Sequence, residues 1–401
     1  MSGSVIIAGV AMTPFATPSK ARNYRVMATD AVSEVLADAG IGYSAIEQAY
    51  AGYVYGDSTS GQAALYPSGL SGIPIINVNN NCASGSSALW LARQAIESGA
   101  ADCVIALGFE QMKRGAIASV YDDRPDPLGD FLDTCEARLG ASNSPMALRL
   151  FGGAGLEYQE RYGVDDRTFA LIAEKARRHA AHNPRAVFRE ALSADAILES
   201  PHMYGPLTRL QCCPPTCGAA AAILCSEAFA AKNGIDSAIV IAAQAMTTDR
   251  PDSFDGENLA ATVGATMSRN AAAQVYEQAG VGAEDLDVVE LHDCFTVNEL
   301  LSYEALGLTG TGTAERFIRD GDNSYGGKVV TNPSGGLLSK GHPLGATGLA
   351  QCFELITQLR GGAGVRQVGG ARIALQHNIG LGGACVVTLY ENKTGRCGGP
   401  T

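Results

Sequence analysis

The stretch Ile76-Asn-Val-Asn-Asn-Asn-Cys-Ala-Ser-Gly-Ser-Ser-Ala-Leu-Trp90 sets one cysteine, Cys82, between a short apolar run and a helix-forming segment. The run before it reads as a buried strand, and Ala83 to Ser98 reads as a helix that Gly99 stops. A strand that turns into a helix at a cysteine presents the sulfur at the end of a sheet, as a nucleophile elbow presents its serine. The partial positive charge and free N–H groups of the helix N-terminus are expected to favour thiolate, in a side chain whose ordinary pKa is about 8.5. A small buried hydrophobe is the other reading of such a cysteine. The rest of the chain has to separate the two.

Outward from Cys82, strand-like runs at Val5–Val10, Cys103–Leu107, Ala238–Ala243, Val288–Leu291, Ile373–Leu375 and Cys385–Tyr390 alternate with helical patterns. In the first of these, Ala28, Ala31, Val32, Val35, Leu36 and Ala39 recur at helical spacing before Gly40. Such alternation predicts an α/β fold, with parallel or mixed sheets covered by helices. Residues 121–210 break the pattern. They are polar and proline-punctuated, with a helix expected over Asp166–Ala181, and read as an insertion lying over the core.

At 401 residues, 46% hydrophobic and 17% charged, the chain is long enough for two domains or a duplicated pair. A net charge of −12 excludes the broad basic surface of a nucleic-acid-binding protein. Eleven cysteines without paired spacing, and no signal peptide, fit reduced thiols in a cytoplasmic setting. No apolar run approaches the ~20 residues of a membrane span, and the terminal Arg396–Thr401 is not a peroxisomal tripeptide. Within the insertion, Lys175–Arg189 carries Lys175, Arg177, Arg178, Arg185 and Arg189 with no acidic residue. That run reads either as a solvated helix face or, through Arg178 and Arg185, as a dock for phosphates.

Two further segments carry chemistry. Asn332-Pro-Ser-Gly-Gly-Leu-Leu-Ser-Lys-Gly-His-Pro-Leu-Gly-Ala-Thr-Gly348 packs five glycines around His342. Pro343 suits the first position of a helix towards Arg360, which would set a neutral His342 at its cap. Glu290-Leu-His-Asp-Cys-Phe-Thr296 follows an apolar run, and Thr296 with Glu299 has capping-box spacing. His292 and Cys294 then fall in a strand-to-helix loop. Together with Cys212, Cys213 and Cys217 they could be asked to bind zinc, but no spacing matches a zinc framework and no metal is expected. A nucleophile, a base and a proton donor in such loops are what acyl transfer through a thioester requires.

Here the chain resembles the thiolase superfamily, in its sterol-carrier-protein-X subgroup, over essentially all 401 residues. The resemblance rests on Asn81-Cys-Ala-Ser-Gly85, His292-Asp-Cys-Phe295, Gly341-His-Pro-Leu-Gly-Ala-Thr-Gly348 and His377-Asn-Ile-Gly-Leu-Gly-Gly383. In the wider family the second of these begins with Asn-Glu and the last carries a catalytic cysteine, whereas this chain has His292 and Asn378 at those places. It implies a duplicated five-layered fold of two βαβαβαββ halves. Residues 1–120 with 211–255 would form the first half, 121–210 a loop domain covering coenzyme A (CoA), and 256–401 the second half. Ser334, Arg178 and Arg185 are the expected CoA contacts. Cys217 stands where close relatives tend to have an acidic residue, and no lipid-transfer domain is expected after Tyr390.

The resemblance also implies the chemistry. A 3-oxoacyl-CoA would be cleaved by CoA, with Cys82 as nucleophile, His342 as its base and Cys294 as the second acid–base group. His292 with His342 would meet the thioester enolate, and the backbone N–H groups of Cys82 and Gly380 would form the other oxyanion hole, with Asn378 nearby. CoA is a substrate here and no further cofactor is expected; a homodimer or homotetramer is. The rival readings are a ketoacyl-synthase-like condensing enzyme, which has no need of Cys294, a non-catalytic lipid-binding or transfer protein, and a retro-aldolase.

Overall fold

The computed structural model describes residues 4–115 and 121–394, so the tail Arg396–Thr401 lies outside the described residues. Twelve strands follow one another as β1 (Val5–Met12), β2 (Gln48–Gly52), β3 (Ile75–Val78), β4 (Cys103–Glu110), β5 (His202–Tyr204), β6 (Leu207–Thr208), β7 (Gly218–Cys225), β8 (Ile239–Thr247), β9 (Val288–Glu290), β10 (Val330–Thr331), β11 (Ile373–Gly380) and β12 (Ala384–Asn392). Ten of them hydrogen-bond in the order β10-β9-β11-β12-β8-β1-β7-β4-β2-β3. Read from its two ends, this order shows the duplication. In each half the second strand pairs parallel with the third and fourth, and the fifth pairs antiparallel with the fourth and first. The halves meet where β1 and β8 pair antiparallel, Val5 with Ile241 and Ile6 with Val240.

Apolar faces set the layers. Helix Tyr24–Ala39 buries Ala28, Ala31, Val32 and Val35 on the outer face of the first sheet. Helix Ala265–Ala279 buries Ala271, Ala272 and Val275 on the outer face of the second. Between the sheets lie helices Ser84–Glu97 and Thr347–Leu359, whose Ala88, Leu89, Leu349 and Leu355 share one core cluster with residues of both sheets. Five layers result, as the resemblance implied.

Several expectations change in detail. β8 is the first strand of the second sheet, so the first half gives up 239–247 from the expected 211–255. β3, expected to be buried, is an edge strand with Ile76 37% exposed. The alanine-rich β7 has a helix former's composition but is a strand, because it fills the place between β1 and β4 where only small side chains fit under helices on both faces. The Thr296–Glu299 capping box does not form. Glu299 is instead buried against Lys175, and the helix Thr296–Ala305 has no side-chain cap.

The insertion holds helices Gly129–Leu139, Met146–Tyr162, Asp166–Ala180 and Ala194–Leu198 and the β5–β6 hairpin. It leaves the chain between β4 and β7 of the first half yet packs on the second. Phe151 stacks on Phe295 and Phe131 meets Phe254 edge-on, both at 4.9 Å between ring centres.

Candidate active site

The motifs around Cys82, His292–Cys294 and His342 follow β3, β9 and β10, Gly380 ends β11, and all four converge at one end of the two sheets. The loop after β3 ends at Cys82, one residue before the N-cap of helix Ser84–Glu97. Asn81 takes a left-handed φ of 50°, a conformation asparagine tolerates better than most residues. Its Nδ2 donates to the Leu381 carbonyl at 2.9 Å, and its Oδ1 lies 3.6 Å from the Cys82 sulfur. This strained turn aims the sulfur and ties it to the turn after β11. There Gly380 abuts the Cys82 loop so closely that a Cβ would collide with the Asn80 carbonyl.

His342 occupies the corresponding place in the second half, in the loop between β10 and helix Thr347–Leu359. That helix begins at Thr347 and not at Pro343, so His342 is not its cap. The side chain is held by a directed pair of hydrogen bonds. Thr347 donates its hydroxyl proton to the Pro343 carbonyl at 3.0 Å and stands 2.7 Å from His342 Nδ1, which must therefore supply the proton between them. The lone pair is left on Nε2, which is buried and has no protein partner. Burial alone pushes the imidazole down to about 3, so His342 is a neutral base at physiological pH, for a reason other than the helix N-terminus expected.

His292 and Cys294 follow β9. Asp293 turns the other way and accepts from the N–H groups of Leu337 and Leu338, while Asn298 donates to the His292 carbonyl, so the loop is gripped on both sides. His292 meets His342 edge-on, with ring centres 5.0 Å apart. The Cys82 sulfur and one ring nitrogen of each histidine lie within 4.8 Å of one another. These are also atoms that bind zinc. A metal there would require the Cys82 thiol to lose its proton.

The electrostatics correct one expectation. Burial, with the Glu110 carboxylate adding to it, pushes the Cys82 thiol up to about 12, against a smaller opposing effect of its own backbone N–H. Cys82 is 7% exposed. Desolvation outweighs the helix N-terminus, and the resting pair is thiol and neutral imidazole. Cys294 is likewise pushed well up by burial, and the sulfurs of Cys213 and Cys82 act in the same direction, which places the three thiols around one space.

Two sequence families match the chain, the one described as "Thiolase, N-terminal domain" over residues 5–228 and the one described as "Thiolase C-terminal domain-like" over residues 255–390. The chain belongs to the thiolase family. It is 54% identical over 390 residues to "Sterol carrier protein 2" of Bos taurus, covering 96% of this chain and 72% of that protein. It is 33% identical over 394 residues to "Acetyl-CoA acetyltransferase" of Methanothermobacter thermautotrophicus, covering 96% and 99%. Among solved structures, "Ltp2-ChsH2(DUF35) aldolase" shares the fold with a TM-score of 0.82 at 22% identity, covering 98% of both chains. The protein is a thiolase of sterol-carrier type and an acyltransferase enzyme.

Some residues that hold the site together escaped the sequence reading. Glu110, at the end of β4, accepts from the N–H groups of Val54, Tyr55 and Gly345, and so fastens the His342 loop to the first sheet. The segment 212–216 runs along the site wall, with the Cys213 N–H on the Cys294 carbonyl at 2.9 Å and Pro215 bridged to His342. Adjacent cysteines in Cys212-Cys213 were its only signal in the sequence. Cys217 is fully buried and its sulfur accepts from the Met112 N–H at 3.2 Å, so at this place the chain uses a thiol as a buried acceptor.

The residues expected at CoA lie in different surroundings. Ser334 is fully buried and donates to Glu290 at 2.7 Å. Arg185 stacks on Phe353 at 4.8 Å and donates to the Met12 carbonyl, and Lys175 is buried on Glu299. Arg178 is exposed and lies 3.4 Å from the Ser324 hydroxyl. The basic run mostly clamps the insertion to the body of the molecule.

The buried histidines set a pH dependence that one substitution isolates. His377 donates from Nε2 to Ser268 at 2.9 Å, and burial pushes it down to about 3. Below pH ~6.5 the unfolded chain protonates this residue while the folded one refuses the proton, so its stabilising contribution is complete above that pH and fades towards 3. His377→Gln should therefore be less stable than the parent at pH 8, with the gap in urea midpoint narrowing between pH 6.5 and 4. A gap independent of pH would show that His377 protonates equally in both states.

Proposed function

We propose that this thiolase cleaves a 3-oxoacyl-CoA with free CoA, or runs the reverse Claisen condensation, to yield acetyl-CoA or propionyl-CoA and a shortened acyl-CoA in lipid or sterol side-chain degradation. The observation that carries the reading is the second thiol, Cys294, beside the Cys82–His342 pair. His342 Nε2 takes the Cys82 proton as the sulfur attacks the 3-keto carbon. The negative charge appears on the substrate oxygen only when N–H donors can receive it, which offsets the cost of ionising a buried thiol. The bond between C2 and C3 then breaks, its electron pair forms the thioester enolate, and Cys294 protonates C2. The resulting Cys294 thiolate accepts the proton of incoming CoA, whose sulfur attacks the acyl group on Cys82. Cys82 leaves and recovers its proton from His342. Cys82 and Gly380 N–H groups receive the tetrahedral oxyanion, and His292 with His342 the enolate oxygen.

The name of the 54% identical relative supports a lipid or sterol-derived acyl group. The exposed edge β3, with Ile76 at 37% exposure, and the exposed Tyr66 and Leu70 in the segment before it support a homodimer in which a second copy covers that edge. The ten described cysteines are free thiols, which supports a reducing, cytoplasmic setting. No helix among the described residues is long and apolar enough to cross a membrane. Incubation with acetoacetyl-CoA and CoA should produce two acetyl-CoA per substrate consumed. Cleavage that proceeds equally without CoA, giving acetate and acetyl-CoA by hydrolysis, would refute thiolysis.

A further inference from the structure

Behind His292 runs a chain of buried polar side chains, and its far end dictates the direction of every hydrogen bond in it. On β11, Gln376 Nε2 lies 2.8 Å from the Gly348 carbonyl, which can only accept. That fixes the amide, with Oε1 turned to the Tyr390 hydroxyl that donates to it at 2.6 Å. The second Nε2 hydrogen goes to Ser86 Oγ at 2.8 Å. Ser86, having accepted, spends its own proton on Asn378 Oδ1 at 2.8 Å. Asn378 is thereby oriented with Nδ2 towards His292 Nδ1, 2.9 Å away. An N–H aimed at Nδ1 requires a lone pair there, so the proton of neutral His292 sits on Nε2.

Ser86, Gln376, Asn378 and Tyr390 are at most 0% exposed, so water does not relax the arrangement. Turning the Gln376 amide would set its oxygen against the Gly348 carbonyl, and turning the Asn378 amide would leave the buried Ser86 hydroxyl proton without its acceptor, the costly case for a hydrogen bond. Packing enforces the same register, because a Cβ on Gly348 would collide with Ser86.

We propose that Ser86 and Gln376 are positioning residues that, through Asn378, lock His292 as an Nε2–H donor for the oxyanion, while Thr347 locks His342 the opposite way as a base. The site then holds two neutral histidines with complementary protons. This rests on the thiolytic reading above, in which an oxyanion has to be received. It also joins two differences of this chain from the wider family pattern, His292 and Asn378, into one device: a cysteine at 378 has no amide to set the histidine proton.

Asn378→Asp tests the lock with almost no change of shape. A carboxylate beside Nδ1 draws the proton there and leaves a bare Nε2 lone pair facing the oxyanion. Turnover should fall by about 10²-fold at pH 8, the scale of one lost oxyanion donor, with the Michaelis constant for the acyl-CoA changed little. As pH falls the aspartate–histidine pair takes up a second proton and Nε2–H returns. The ratio of variant to parent turnover should therefore recover towards acid. Ser86→Ala, which frees the Asn378 amide to turn, should cost roughly tenfold in turnover. In parent protein labelled with ¹⁵N-histidine, two-bond nitrogen–proton correlations should show His292 protonated at Nε2 without substrate present.

His292 protonated at Nδ1 in the parent would overturn the proposal outright, whether or not the variants fold. A pH-independent ratio in Asn378→Asp, or parent-like turnover in both variants, would also overturn it. None of these results touches the thiolytic reading, which stands or falls on acylation of Cys82 by substrate.

Discussion

Cys82→Ala should abolish CoA-dependent cleavage of acetoacetyl-CoA, with a loss on the order of 10⁴–10⁶-fold, the scale on which removing a catalytic nucleophile acts. The variant should remain folded. Alanine keeps the Cβ, the site is already lined by small residues, and the strained Asn81 turn is held by its own bond to Leu381. Mass spectrometry of parent protein quenched with acetoacetyl-CoA in the absence of CoA should show an acetyl group on the peptide containing Cys82, and no such adduct in the variant. Retained turnover, or an acetyl group on Cys213 or Cys294 of the parent, would remove Cys82 from the nucleophile's role. Acylation by acetoacetyl-CoA should also protect Cys82 from alkylation, because the acyl-enzyme consumes the same sulfur.

Cys294→Ala should separate the two halves of the reaction. In the proposed reaction His342 serves the acylation of Cys82, whereas Cys294 serves protonation of the departing enolate and activation of CoA. Overall turnover should fall about 10²–10⁴-fold, the range of a lost general acid–base group. Exchange of acetyl-CoA methyl protons with deuterated solvent should fall with it, while acetylation of Cys82 from acetyl-CoA should be slowed less, because CoA can leave as its thiolate without first taking a proton. Exchange at the parent rate would transfer the role to the neighbouring thiol, Cys213, whose N–H holds the Cys294 carbonyl. Cys385 is a poorer substitute: it is fully buried on β12 with its sulfur on Ser268 at 3.7 Å. A ketoacyl-synthase-like enzyme would be indifferent to this substitution, so the result also divides those two classes.

Much of this was legible before the chain was folded. Alternating apolar runs with glycine stops mark β1, β4, β9, β11 and β12, because a strand buried under helices must be continuously apolar. The motifs at Cys82, His292–Cys294, His342 and Gly380 are local, since each is a loop whose glycines, proline or cap residues are neighbours in sequence. The strand β7 and the helices Gly129–Leu139 and Met146–Tyr162 were not legible. Their residues carry weak local preferences, and the elements that decide their state lie far along the chain.

What the sequence by itself determined was the α/β class, the strand-to-helix loops and the kinds of side chain they carry, because propensity, turn chemistry and periodicity act over a few residues. Tertiary structure alone decided how those groups behave. The duplication sets helices Ser84–Glu97 and Thr347–Leu359 side by side in the central layer, so that a thiol from one half meets an imidazole from the other. Burial there, and not the helix N-terminus, holds Cys82 as a thiol and His342 neutral. The protons on the two histidines are placed by Thr347 in one case and by Gln376, Ser86 and Asn378 in the other. Those bonds join residues up to 292 positions apart. Desolvation and hydrogen-bond direction depend on everything packed around a group, and no short stretch of chain contains that information.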